Sequence, residues 1–198
     1  IAEEIKGARV VRDDDLVAVL HSHPEIAQKA LSKIEAKYIM PQTGVNHETI
    51  FDHLLSKAPS PNVADQGGDL ATGEKKASEI FEETYLNSYV AHAPMETHTA
   101  LAHFENGKMT VWASTQPPFG VQRQVARAVG LPAEKVRVIT PFVGGGFGGK
   151  SASAQAIEAA RLTKICRNPV MVMWSREEEF FFDTFRPAAL VKIRSGLI

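Results

Sequence analysis

Pro141-Phe142-Val143-Gly144-Gly145-Gly146-Phe147-Gly148-Gly149-Lys150-Ser151 places five glycines in six consecutive positions. Glycine loses more backbone freedom on folding than any other residue, so such a run is costly unless the chain needs positive φ or a close backbone approach. An apolar run at 136–140 precedes the glycines, and an alanine-rich helical pattern at 151–166 follows them. Strand, glycine loop and helix together aim backbone N–H groups and a helix N-terminus at an anion or an oxygen ligand. Three readings fit the residues. Gly144, Gly149, Lys150 and Ser151 satisfy the phosphate-loop pattern G-x-x-x-x-G-K-[ST]. Against it, the next apolar strand is followed by Ser175 and not by an Asp that would hold magnesium, and Phe147 puts a bulky side chain into the arc. Gly144, Gly146 and Gly149 also satisfy G-x-G-x-x-G, but Asn168-Pro169-Val170 stands where the ribose-binding acid should lie. The third reading is a tight turn that binds nothing.

Outward from the loop, strands and helices alternate. Residues 84–90, 100–105 and 108–113 read as strands, the last two joined by Asn106-Gly107, the strongest short hairpin signal. Residues 118–129 read as a helix with Val121, Val125, Ala128 and Val129 on one face and Gly130 as its stop. Asn168-Pro169 closes the helix at 151–166, residues 170–174 form a buried strand, and Ser175 with Glu178 makes a capping box. Toward the N-terminus, short strands at 8–12 and 16–21 flank Asp13-Asp14-Asp15. Pro24 opens a helix whose stripe is Ile26, Ala30, Leu31 and Ile34, and a strand is expected at 36–40. Residues 46–57 read as a helix capped by Asn46, 58–73 as a Pro- and Gly-rich linker, and 74–81 as a short helix. The fold class is α+β.

Composition narrows the function. Lys and Arg number 22 against 23 Asp and Glu, so there is no basic excess of the kind nucleic-acid binding shows. No apolar run approaches the roughly 20 residues needed to span a bilayer. Cys166 is the only cysteine, which excludes a disulfide scaffold, a zinc ribbon and a Cys-ligated iron–sulfur cluster within these residues. The sequence starts at Ile1 without an initiator Met and closes on an alternating pattern at 191–198, which suggests an excised piece of a longer chain. His21, His23, His92, His98 and His103 lack the spacing of a ligand set and read as surface or core histidines.

Several stretches, in order, carry a family resemblance. G-G-G-F-G-G-K at 144–150 resembles the signature of the molybdenum-binding large subunit of the xanthine dehydrogenase and aldehyde oxidase family. Y-V-A-H-A-P-M-E-T-H-T-A-L-A at 89–102, V-W-A-S-T-Q at 111–116 with the Pro-Pro after it, L-P-A-E-K-V-R-V at 131–138 and P-V-M-V-M-W-S-R-E-E at 169–178 agree with it. W-A-S-T-Q-P-P and the later F-R-P lean toward the isoquinoline-oxidoreductase-like bacterial branch. The resemblance implies the end of an α/β hammerhead domain at 1–57, the linker at 58–73, and the first part of a molybdopterin-binding domain at 74–198, with a mixed sheet and packed helices.

Members of this family hydroxylate an aromatic N-heterocycle or an aldehyde with oxygen taken from water. The resemblance therefore implies a molybdenum-dependent oxidoreductase holding molybdopterin, with the cytosine dinucleotide form expected. Gln116 would donate to a molybdenum oxygen, and an uncharged amide does so without adding charge near the metal. Phe147 and Gly148 would present backbone to the same oxygen, with Gly145, Gly146 and Gly149 permitting the approach. No side chain here is expected to ligate the metal directly. The family's catalytic Glu lies far toward the C-terminus of the subunit, so no catalytic residue is assigned in this chain, which is expected to be inactive alone. Electrons would leave through iron–sulfur clusters on a partner chain or a segment outside these residues. An iron–sulfur subunit, a flavin subunit and the rest of the large subunit are the expected partners. The expected compartment is the cytoplasm, with the periplasm as the alternative. Purine oxidisers carry a Glu where this chain has Ser151, and their Arg near the downstream Pro is displaced by one at Phe185-Arg186. Ser151, Phe185 and Arg186 are therefore assigned to a substrate pocket that does not take xanthine. The phosphate-loop nucleotide-binding domain remains the alternative.

Overall fold

The computed structural model describes residues 2–39, 41 and 44–198. They fall into two compact units, Ile1–Pro41 with Ala93–Asp183, and Gln42–His92 with Thr184–Ile198.

The first unit is built on a hairpin. β4 (Thr99–Glu105) pairs with β5 (Lys108–Ala113), and Asn106 (φ 51) and Gly107 (φ 73) both take the left-handed conformation that a two-residue turn requires. β6 (Val136–Ile139) adds parallel to β5, and β7 (Val170–Met173) adds antiparallel to β4, giving the order β6-β5-β4-β7. A parallel pair needs a crossover, and α4 (Pro118–Ala128) lies in it. Alternation along β4 and β5 turns Ala100, Ala102, Met109, Val111 and Ala113 to one face. There they pack with Val121 and Val125 of α4 and with Ala156, Ala159 and Ala160 of α5 (Ala154–Cys166). Alanine on both sides of the α5–β4 crossing lets the two backbones approach closely, and larger side chains there would overpack the core.

An N-terminal hairpin, β1 (Arg9–Asp13) and β2 (Leu16–Leu20), places Val11 against Leu162 and Val170. The Arg161 guanidinium of α5 holds it by Asp13 Oδ2 at 2.7 Å, Asp15 Oδ1 at 2.9 Å and the Asp13 carbonyl. α1 (Pro24–Leu31) follows β2. Downstream of β7, α6 (Arg176–Phe182) starts with the expected capping box: Ser175 Oγ accepts from Glu178 N and Glu178 Oε2 accepts from Ser175 N.

The second unit contains α2 (Ile50–Lys57), α3 (Leu70–Lys76) and a two-stranded ribbon of β3 (Glu79–Asn87) and β8 (Ala189–Leu197), in register from Glu79–Leu197 to Asn87–Ala189. Arg194 Nε stands 3.1 Å from both Glu74 and Glu82 across this ribbon and α3.

Several boundaries differ from the sequence reading. Residues 34–39 form no strand, and residue 40 of that expected strand lies outside the described residues. The helix expected at 74–81 runs over Leu70–Lys76 because Asp69 caps it by accepting from Ala71 N, and β3 takes up Glu79, Ile80 and Phe81. Asn46 Oδ1 accepts from Glu48 N and Thr49 N and so closes a turn ahead of α2, which begins at Ile50. The helix expected from residue 151 begins at Ala154, after a separate 3-10 turn at Gly149–Ser151. On α4 the buried positions are Val121, Val125 and Ala126, while Ala128 faces outward.

Candidate functional site

The glycine loop connects β6 to α5. Gly145 (φ 95), Phe147 (φ 55) and Gly148 (φ 109) all have positive φ. For Phe147 that conformation costs about 1 kcal/mol or more, and its ring is exposed. The other glycines answer to neighbours. A Cβ at Gly146 would lie 2.8 Å from Gln116 Oε1, and one at Gly144 would lie 2.6 Å from Glu96 Cβ. The loop backbone thus packs directly onto two side chains.

Gln116 follows the end of β5, just beyond buried Ser114 and Thr115. Its backbone N–H donates to the Lys150 carbonyl at 3.0 Å. Its Oε1 accepts from Gly148 N at 3.0 Å. A backbone N–H only donates, so the amide oxygen must face it and Nε2 is left as the amide's donor. Gln116 itself is exposed.

Lys150 is fully buried, and its Nζ lies 2.7 Å from Glu96 Oε2. The same oxygen accepts from Gly144 N at 2.8 Å, and Glu96 N donates to the Gly144 carbonyl at 3.2 Å. Thr115 Oγ1 donates to the Lys150 carbonyl at 3.2 Å. Burial pushes the Glu96 carboxyl upward, but the Lys150 hydrogen bond, the Gly144 N–H and the Lys150 charge outweigh it and hold the group below the usual glutamate range. This corrects the phosphate-loop alternative. The lysine that would reach a β- or γ-phosphate is turned inward onto a carboxylate, and no continuous helix starts at the loop.

The same unit holds a polar cluster the sequence reading did not assemble. His98 is fully buried, with Nδ1 3.0 Å from both oxygens of the buried Glu179 and its N–H donating to Glu179 Oε2 at 2.8 Å. Among the described residues the His98 Nε2 has no hydrogen-bond partner. Trp174 packs its ring 4.8 Å from that of His98 and donates Nε1–H to Glu158 Oε2. Burial raises the Glu158 carboxyl, and the Trp174 bond offsets it only in part. Arg176 Nη2 donates to the Pro94 carbonyl at 2.6 Å. Glu96 and His98 lie in the 89–102 stretch, whose four polar residues in a row, Glu96 to Thr99, between apolar ones were the available signal.

Gln116, Gly146 and Gly148 are therefore brought together, with Gly145, Phe147 and Gly149 in the same loop. Ser151 is exposed at the end of the 3-10 turn. Phe185 and Arg186 belong to the second unit. There Arg186 exchanges backbone hydrogen bonds with Val90 and donates Nη2–H to the Ser88 carbonyl at 3.4 Å. Among the described residues no three His, Cys, Asp or Glu side chains are grouped to hold a metal ion, and no helix is long and apolar enough to cross a membrane.

A family model for the molybdopterin cofactor-binding domain matches residues 55–197, so the chain belongs to that family. It is 38% identical over 151 residues to "Probable hypoxanthine oxidase XdhD" of Escherichia coli strain K12, covering 74% of this chain and 16% of that protein. It is 34% identical over 173 residues to the aldehyde oxidoreductase molybdenum-binding subunit PaoC of Escherichia coli O157:H7, covering 87% of this chain and 24% of the other. The fold is similar to quinoline 2-oxidoreductase from Pseudomonas putida 86, with a TM-score of 0.68 at 22% identity, covering 90% of this chain and 24% of that one. The chain spans 16% to 24% of the length of these two curated relatives.

Proposed function

We propose that this chain is part of a molybdenum hydroxylase large subunit that oxidises an aromatic N-heterocycle or an aldehyde, and that Gln116 and the loop from Gly145 to Gly149 hold its cofactor. The observation that carries this is the Gln116–Gly148 bond. It fixes the amide oxygen against the loop and leaves Nε2 as an uncharged donor on an exposed side chain. The residues present fit such a group. The loop is stripped of side chains where it meets Gln116, and positive φ at Gly145, Phe147 and Gly148 turns the backbone sharply around the same point. The group, when bound, supplies two-electron oxidation with oxygen derived from water. The chain's own share is to bind and orient it: Gln116 Nε2 donates to it, loop glycines let it approach the backbone, and exposed Phe147 offers an apolar surface.

The cytosine dinucleotide form, an iron–sulfur subunit, a flavin subunit, the remaining large-subunit domains and a cytoplasmic location belong to the same reading, as does a hammerhead origin for residues 1–57. The general base lies outside these residues. On this reading xanthine is disfavoured, since the sequence has neither a carboxylate at Ser151 nor an Arg in the purine register at Phe185-Arg186 to orient a polar purine. Gln116→Ala in the full-length protein that contains this chain is expected to lower turnover by roughly 10- to 100-fold, the usual cost of losing a hydrogen bond that tunes a metal site. The unfolding midpoint is expected to stay near wild type, and unchanged turnover contradicts the assignment.

A further inference from the structure

Lys150 and Glu96 close a continuous chain of hydrogen bonds across the glycine loop. Gly144 N–H at one end donates to Glu96 Oε2, and Lys150 Nζ at the other end reaches the same oxygen. The Lys150 carbonyl then accepts from Gln116 N and Thr115 Oγ1. One carboxylate oxygen therefore ties both ends of the loop together, and the lysine passes that constraint to the residue carrying the outward amide. The Lys150 side chain is fully buried while that of Glu96 is 31% exposed. A pair of this kind adds little net stability over apolar residues of similar volume, because desolvation cancels most of the attraction. What apolar residues cannot reproduce is the fixed reach from Gly144 to Lys150.

We propose that Glu96 and Lys150 are positioning residues, whose ion pair sets the span of the glycine loop and so the placement of the Gln116 amide and the Gly148 N–H. Its consequence for cofactor binding rests on the reading of the loop given above, but the positioning itself is a property of this chain.

Hydrogen exchange by NMR on the cofactor-free full-length protein that contains this chain, labelled at Gly, Met, Val and Gln, tests it. In the wild type, Gly144 and Gly148 amides are expected to exchange well below their intrinsic rates. In the double variant Glu96→Leu/Lys150→Met, which leaves no lone buried charge, protection at those two amides is expected to fall roughly tenfold, the loss of about one hydrogen bond. Protection at Met109 and Val111 in β5 stays unchanged, and the Gln116 side-chain NH2 signals move. A merely structural pair would lower protection in loop and β5 together, or in neither, and either result overturns the proposal. Glu96→Asp keeps the charge and withdraws the carboxylate by one methylene. It is read in the same way and decides the question if the double variant fails to fold. Unprotected Gly144 and Gly148 amides in the wild type overturn the proposal at once. Failure of the full-length protein to carry molybdopterin would instead overturn the functional reading and leave the exchange result standing.

Discussion

A methyl group at Gly146 would stand 2.8 Å from Gln116 Oε1, the far end of a flexible side chain. Gly146→Ala is therefore expected to cost under about 1 kcal/mol of stability while pushing the amide out of place. Turnover of the full-length protein should fall toward that of Gln116→Ala, and the double substitution should be no worse than either single one, because both act through one group. Additive losses would place the two residues in separate roles. Two carboxyls make opposite statements about pH. Glu96 has its folded-state pKa depressed, so its contribution is present above the unfolded value of about 4.3 and is lost as pH falls through the lower folded value. Glu158 is raised, so its contribution is fully present below the unfolded value and is lost as pH rises through the folded one. At neutral pH its ionised form is a burden. Glu158→Gln keeps an acceptor for Trp174 Nε1 and is expected to raise the unfolding midpoint at pH 7 by about 2 °C, with less gain at pH 4. A lower midpoint at pH 7 contradicts that account.

Elements whose signals are local were readable in the sequence. Asn106-Gly107 needs only its own φ angles to make the β4–β5 turn, and Ser175 and Glu178 cap α6 between themselves. Ser175→Ala is accordingly expected to cost about 1 kcal/mol, measured by denaturant unfolding, with no change in activity beyond what that loss explains. An unchanged midpoint would mean the cap carries no weight. Elements whose partners are distant were not readable. Glu79, Ile80 and Phe81 join β3 because β8 pairs with them from the other end of the chain, and no local propensity reports that pairing. The same limit applies at the site. The glycine run and Gln116 could be picked out as residue types in sequence order. The Glu96–Lys150 bond and the His98–Glu179 couple join positions far apart in the chain, so only the fold displays them.

For the whole molecule, family membership is carried by the match over 55–197, and this chain spans 16% and 24% of the two curated relatives named. A relative named for hypoxanthine oxidation makes purines the discriminating substrates. Steady-state assays of the full-length protein are expected to show turnover of an N-heterocycle or an aldehyde and none of xanthine. Xanthine turnover would overturn the role given to Ser151, Phe185 and Arg186. The central claim is that the glycine loop and Gln116 hold a molybdopterin cofactor, and it is met most directly by metal and pterin analysis of the purified full-length protein alongside its Gln116→Ala variant. The account expects molybdenum and a fluorescent oxidised pterin in near-stoichiometric amounts in the wild type, with turnover lowered in the variant. A wild type that carries neither molybdenum nor pterin, yet binds a magnesium–nucleotide tightly, would contradict it.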